Sequence, residues 1–158
     1  MISIKPKIIP HLWFDTQAKE AVEFYCSIFP DSKISHSVII KDTPSGDAES
    51  ISFTLSGQPF MAISAGPFFK FCEAISFVVY CETQDEIDYY WENLSADPLA
   101  EQCGWLKDKF GLSWQIVPTI MAHVMRENDP TKTAQVTKAF LSMKKFNIKA
   151  IQQAYEDG

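Results

Sequence analysis

The chain has 158 residues, 46% of them apolar and 13% aromatic, with a net charge of −6 and a pI near 5.0. That length suits one domain of about 100–200 residues, and the acidic balance argues against a nucleic-acid partner, whose phosphates call for a basic face. No apolar run approaches the ~20 residues that span a bilayer, and the start Met1-Ile2-Ser3-Ile4-Lys5-Pro6 lacks a signal-like apolar stretch, so a cytoplasmic protein without a membrane partner is expected.

In chain order, residues 6–14 read as a strand, with Pro6 and Pro10 marking an edge or a strand start. Ala18 to Phe29 reads as a helix with Ala21, Val22, Phe24, Tyr25, Ile28 and Phe29 as its apolar stripe, closed by Pro30. Lys33 to Lys41 is a strand, and Asp42 to Ala48, with Pro44 and Gly46, a loop. Glu49 to Ser56 alternates Ile51, Phe53 and Leu55 against Ser50, Ser52 and Thr54, a half-buried strand. Gly57-Gln58 then turns into a strand over 59–64. Residues 65–72 form a linker, and 74–81 is an apolar strand. Gln84 to Leu94 is a helix facing inward with Ile87, Tyr90, Trp91 and Leu94. Residues 95–99 form a loop in place of a strand; 103–107 and 112–117 make a hairpin around Asp108-Lys109-Phe110-Gly111. Asp129-Pro130 caps a helix running to about Lys145, and Asn147 caps a short last one.

The same unit occurs twice. Asp15-Thr16-Gln17 is echoed by Glu82-Thr83-Gln84 ahead of each helix, and Gly57-Gln58-Pro59-Phe60-Met61 by Gly111-Leu112-Ser113-Trp114-Gln115. The offsets are 65 to 67 residues in the first echo and 54 in the second, so the second copy has a shorter middle. The fold expected is α+β: two β-α-β-β-β modules (1–65 and 73–118) forming a curled mixed sheet around a cavity, plus C-terminal helices over 119–158, all in one domain.

Several stretches carry a family resemblance: Leu12-Trp13-Phe14-Asp15, Gly66-Pro67-Phe68-Phe69-Lys70-Phe71, Gln102-Cys103-Gly104-Trp105 and Ser113-Trp114-Gln115-Ile116-Val117-Pro118. With these the chain resembles, over essentially its whole length, the PhnB-like family. That family often bears the label 3-demethylubiquinone-9 3-methyltransferase, and it belongs to the vicinal oxygen chelate superfamily of glyoxalase and bleomycin-resistance proteins. The resemblance implies a sheet curled around a cavity and a homodimer, and leaves the reaction open. The chain departs from its relatives at Phe68, where they often carry histidine, and at Cys72, where asparagine is common.

Metal enzymes of that superfamily hold a divalent ion with His, Glu or Gln from the first and last strands of each module. The corresponding positions are His11, Met61, Ser76 and Gln115. One imidazole, one thioether, one hydroxyl and one amide, with no carboxylate, make a poor set for a dication, so no cofactor is assigned and a divalent metal is disfavoured. His11 is read as a hydrogen-bonded strand residue or a general base, and a one-residue slip would turn it to the other face. Gln115 either fixes a polar ligand group or is satisfied by backbone. Cys103 lacks a local activating cation, Lys107 being about 13 Å along a strand, and reads as a structural thiol. Trp13 and Trp105 wall the cavity or fill the interior. His36 and His123 have no acidic or cysteine companions at ligand spacing. The four cysteines form no Cys-x-x-Cys pair and read as reduced thiols.

The expected ligand-binding set is therefore His11, Trp13, Met61, Ser76, Cys103, Trp105 and Gln115, around a small, partly apolar molecule. The alternative is a superfamily enzyme, a lyase, isomerase or oxygenase with an atypical metal site or His11 as base. Methyl transfer, as in the inherited label, would need a glycine-rich strand–helix turn for S-adenosylmethionine. None of the six glycines forms a Gly-x-Gly.

Overall fold

A computed structural model describes residues 6–127 and 129–158. The chain divides into two compact units, Met1–Phe71 and Cys72–Gly158.

The first unit opens with β1 (His11–Phe14) and α1 (Ala18–Ile28), followed by β2 (Lys33–Thr43), β3 (Gly46–Leu55) and β4 (Gln58–Ser64). Its sheet has the order β1-β4-β3-β2, with β1 parallel to β4 and the other pairs antiparallel. The strand expected over 6–14 starts only at His11. Pro10 has no N–H to give to a ladder, and only its carbonyl takes part, accepting from Met61 N at 2.9 Å. The alternation read in β3 is real: Ile51, Phe53 and Leu55 are buried and share a face with Phe60 and Ala62 of β4. Phe53 and Phe60 stack with centroids 5.5 Å apart. Helix α1 lies against β3 and β4, burying Ala21, Val22, Tyr25 and Ile28. The loop expected over 42–48 is instead a tight turn within a long hairpin. Asp42 (φ 55°) and Gly46 (φ 87°) take left-handed conformations and the register shifts between Ile40 and Thr43, so the strands continue almost to the turn.

The second unit runs β5 (Ser76–Cys81), α2 (Gln84–Leu94), β6 (Trp105–Lys107) and β7 (Ser113–Pro118), then α3 (Thr119–Glu127), α4 (Pro130–Phe140) and α5 (Ile148–Glu156). The sheet order is β5-β7-β6, with β5 parallel and β6 antiparallel to β7. The thin middle of this copy shows as a strand that is lacking among the described residues. Only Ala96 N, donating to Lys107 O at 2.9 Å, marks its place beside β6. Helix α2 starts where Thr83 and Glu86 form a reciprocal capping box, and it buries Ile87, Trp91 and Leu94.

Helix α4 begins at Pro130 with Asp129 as its cap, as the sequence suggests, but ends at Phe140 rather than near Lys145. The reason is a competing use of the backbone. The carbonyls of Met143 and Lys144 accept from Cys103 N (2.9 Å) and Gly104 N (2.8 Å), which ties this segment to the hairpin. Gly104 is required there: φ is +80°, and a Cβ would lie 2.4 Å from the Phe146 ring and 2.9 Å from Ile116 O. Gln84 completes the tie, with Nε2 donating to Phe146 O at 3.1 Å and Oε1 accepting from Ile148 N at 2.9 Å.

Candidate functional site

In the first unit, the face of the sheet opposite α1 carries two candidates in one cross-strand row. His11 pairs with Met61, Met61 with Ser52, and Ser52 with His36. His36 therefore shares its face with His11, which the sequence did not reveal. Three strand spacings of about 4.8 Å put the two imidazoles' strands roughly 14 Å apart, too far to share an ion. The next row runs Trp13, Ile63, Ser50 and Val38. Trp13 spends its indole N–H on Gly66 O at 2.9 Å and meets Phe69 edge-on at 4.9 Å. His11 is exposed and makes no hydrogen bond among the described residues. A separate cleft of about 490 Å³ in this unit is bordered by Asp15, Asp47 and Glu49 and by none of the candidates. Asp47 there is paired with Lys41, and Glu49 accepts from Ser37 Oγ at 2.8 Å.

In the second unit, Trp105, Cys103 and Gln115 come together. They border a cavity of about 510 Å³ with Val78, Tyr80 and Val117 from the strands. Helix α3 supplies another wall through Met121, Ala122, Met125 and Arg126, and Phe140 and Phe146 add aromatic surface. Residues 121 and 125, and likewise 122 and 126, are four apart and so lie on one side of the helix. The volume falls within the ~300–1,000 Å³ usual for small-molecule sites. Among the described residues no Asp or Glu lines it, and Arg126 is the one fully charged side chain that does.

Ser76 does not border this cavity, but its hydroxyl accepts from Gln115 Nε2 at 2.8 Å. The register also revises the repeat. His11 lies opposite Met61, and Val78, not Ser76, lies opposite Gln115. The counterpart of His11 is thus two residues beyond Ser76, on the same face, and it is a valine. The neighbouring Ser113 Oγ is buried with no hydrogen-bond partner among the described residues. Cys103 sits in a left-handed conformation (φ 49°), its thiol 3.7 Å from the carbonyl oxygens of Phe140 and Leu141. Lys107, the nearest cation in sequence, is engaged with Glu73, and that pair lowers the Glu73 carboxyl and raises the Lys107 ammonium relative to their ordinary values. Burial pushes the Cys81 thiol up to about 12, with the Glu86 carboxylate adding to the shift. All four cysteines are free.

The ion that the superfamily's enzymes use does not suit these side chains. Among the described residues no three His, Cys, Asp or Glu groups are placed to hold a metal. The row in the first unit offers a thioether beside His11, and the row in the second offers a valine beside the Gln115 amide.

These two βαβββ-like mixed sheets, with helices on one face and a C-terminal helical segment, have the glyoxalase-like fold of the vicinal oxygen chelate superfamily. A family profile described as 3-demethylubiquinone-9 3-methyltransferase matches residues 6–117, and the chain belongs to that PhnB-like family. A Bacillus cereus structure described as a 3-demethylubiquinone-9 3-methyltransferase, PhnB protein, is 34% identical over 71% of this chain and 98% of its own, with a TM-score of 0.59. A Pseudomonas aeruginosa protein is 16% identical over 70% and 96%, with a TM-score of 0.55. The fosfomycin resistance protein FosX from Listeria monocytogenes is 13% identical over 77% and 98%, with a TM-score of 0.54, a likeness of fold alone. No curated protein sequence matches the chain. No helix among the described residues is long and apolar enough to cross a membrane.

Proposed function

We propose that this family member binds a small, partly apolar molecule in the cavity of its second unit. One observation carries the reading: an aromatic-edged cavity of about 510 Å³ lined mainly by hydrocarbon, whose few polar groups are chiefly the half-buried Gln115 amide and the exposed Arg126 guanidinium. The family's descriptive name refers to methyl transfer. Neither sheet is a doubly wound parallel sheet and no glycine-rich strand–helix turn is present, so methyl transfer is not assigned. The test is native mass spectrometry of protein purified without denaturation. A co-purifying small molecule should be present in the unaltered chain and absent from Ala122→Trp, which fills the cavity. Protein that carries and takes up nothing across a broad metabolite screen contradicts the proposal.

A homodimer is also proposed. The 11-residue β2 is the edge of its sheet and exposes Ile34, Val38, Ile39 and Ile40, an apolar edge of the kind proteins usually cover. Sedimentation at micromolar concentration should give a dimer, weakened by Ile39→Lys; a clean monomer contradicts it.

A further inference from the structure

Arg126 stands out in the wall of the second-unit cavity. It lies in the last turn of α3, where any cation is favoured by the helix dipole. That preference explains a basic residue at the helix end but not a place in an otherwise uncharged wall. The Arg126 side chain is exposed and has no ion pair or hydrogen bond among the described residues. The acids nearest in sequence are engaged elsewhere. Glu127 accepts from Tyr155 Oη at 2.6 Å, faces His123 Nε2 at 3.2 Å and has Lys132 Nζ at 3.9 Å. Asp129 caps α4, accepting from Thr131 N (2.9 Å) and Lys132 N (3.2 Å). So the end of α3 sends its carboxylate toward α5 and its guanidinium to the cavity.

A guanidinium offers a planar fork of N–H donors that matches a carboxylate in a two-point contact. Arg126 is exposed, so such a pair is charge-assisted but open to screening by salt. Gln115 adds neutral polarity: one Nε2 hydrogen is used on Ser76 Oγ, which leaves its other N–H and its carbonyl oxygen. The net charge of −6 opposes an anion's approach, so any anchor has to be local, at Arg126, where no acid among the described residues borders the cavity. Met121, Met125, Arg126, Phe140 and Phe146 all lie beyond residues 6–117, where the family profile ends. The ligand class therefore has to be argued from these side chains and not from the family.

We infer that the cavity takes an organic acid, a monoanion with an aromatic or branched apolar body, held at its carboxylate by Arg126. The inference rests on the reading of this cavity as a ligand site and adds the charge and the anchor. Val78, Val117, Met121 and Phe146 receive the apolar body, and the fork at the end of α3 receives the acid.

The test is isothermal titration calorimetry of the full chain with two probes of nearly the same shape, 1-naphthoate and 1-naphthylmethanol. The acid should bind about tenfold tighter or better than the alcohol, the scale of one charge-assisted hydrogen-bonded contact. Arg126→Ala should remove that advantage, bringing the two probes to similar affinity, and added salt should weaken only the acid. Ala122→Trp should abolish binding of both probes, and Met125→Trp, at an exposed position on the same helix, repeats that control. Equal affinity for the two probes, or an acid affinity unmoved by Arg126→Ala, overturns the anchor and leaves the cavity reading standing. Binding of neither probe, or binding indifferent to both tryptophan variants, overturns the cavity reading and the anchor with it.

Discussion

Gln115 Nε2 donates to Ser76 Oγ at 2.8 Å, across the β5–β7 pair of the second unit. The two are not register partners: Gln115 lies opposite Val78, and Ser76 lies opposite Ser113. The bond is therefore diagonal. It draws the Ser76 hydroxyl to the amide, and the Ser113 hydroxyl is left buried and unpaired among the described residues. A buried hydroxyl without a partner costs stability, and removing it removes that cost. Ser113→Ala should thus be neutral or stabilising by up to about 1 kcal/mol in urea denaturation. Ser76→Ala should lower stability by about 1 kcal/mol, since it takes a partner from Gln115.

Asp108 organises the β6–β7 hairpin. Its buried carboxylate accepts from Phe110 N (2.9 Å), Leu112 N (3.0 Å) and the Trp114 indole N–H (2.9 Å). Asp108→Ala strips three donors of a charged acceptor at once, and a loss on the order of 3 kcal/mol is expected. Asp108→Asn, which keeps one carbonyl oxygen, should lose less. Chemical denaturation of the two variants checks the order.

Much of the scaffold was legible because its signals are local. The Ile51, Phe53, Leu55 alternation needs only a period of two, and the bounds of α2 follow from Thr83, Glu86 and its apolar stripe. What escaped depends on distant partners. Asp108 reads as an ordinary turn residue until Trp114 folds over it. The early end of α4 follows from Cys103 and Gly104 taking carbonyls about 40 residues downstream. The counterpart of His11 was misplaced by two residues because the echoes allow offsets of 65 to 67 and only the ladder selects one. Of the residues that border the second-unit cavity, Cys103, Trp105 and Gln115 had been singled out from the repeat and the resemblance, and Arg126 had not. The four-residue spacing of Met121 with Met125 and of Ala122 with Arg126 was its one sequence signal, and which way that side of α3 faces is a tertiary fact.

Cys81 gives a prediction in pH. Its thiol is pushed up to about 12, first by burial and then by the Glu86 carboxylate, from an ordinary value near 9. At pH 8 its thiolate is therefore roughly a thousandfold scarcer than that of an unperturbed thiol. Iodoacetamide should modify exposed Cys72 first and spare Cys81 until the chain unfolds. The folded value lies above the unfolded one. The stability it confers is complete below pH about 9 and is lost as the pH rises toward about 12. Mapping the modified cysteines by mass spectrometry at pH 8 checks the order.

The most direct test of the central claim uses the side-chain N–H resonances of the four tryptophans and Gln115 in a 15N-correlated NMR spectrum. Trp13 and Trp114 have their indole N–H groups bonded to Gly66 and Asp108, whereas Trp105 borders the second-unit cavity. On titration with 1-naphthylmethanol, the Trp105 indole and Gln115 amide signals should shift in a saturable way while those of Trp13 and Trp114 stay in place. Shifts confined to Trp13, or no saturable shift at Trp105 and Gln115, would contradict the account.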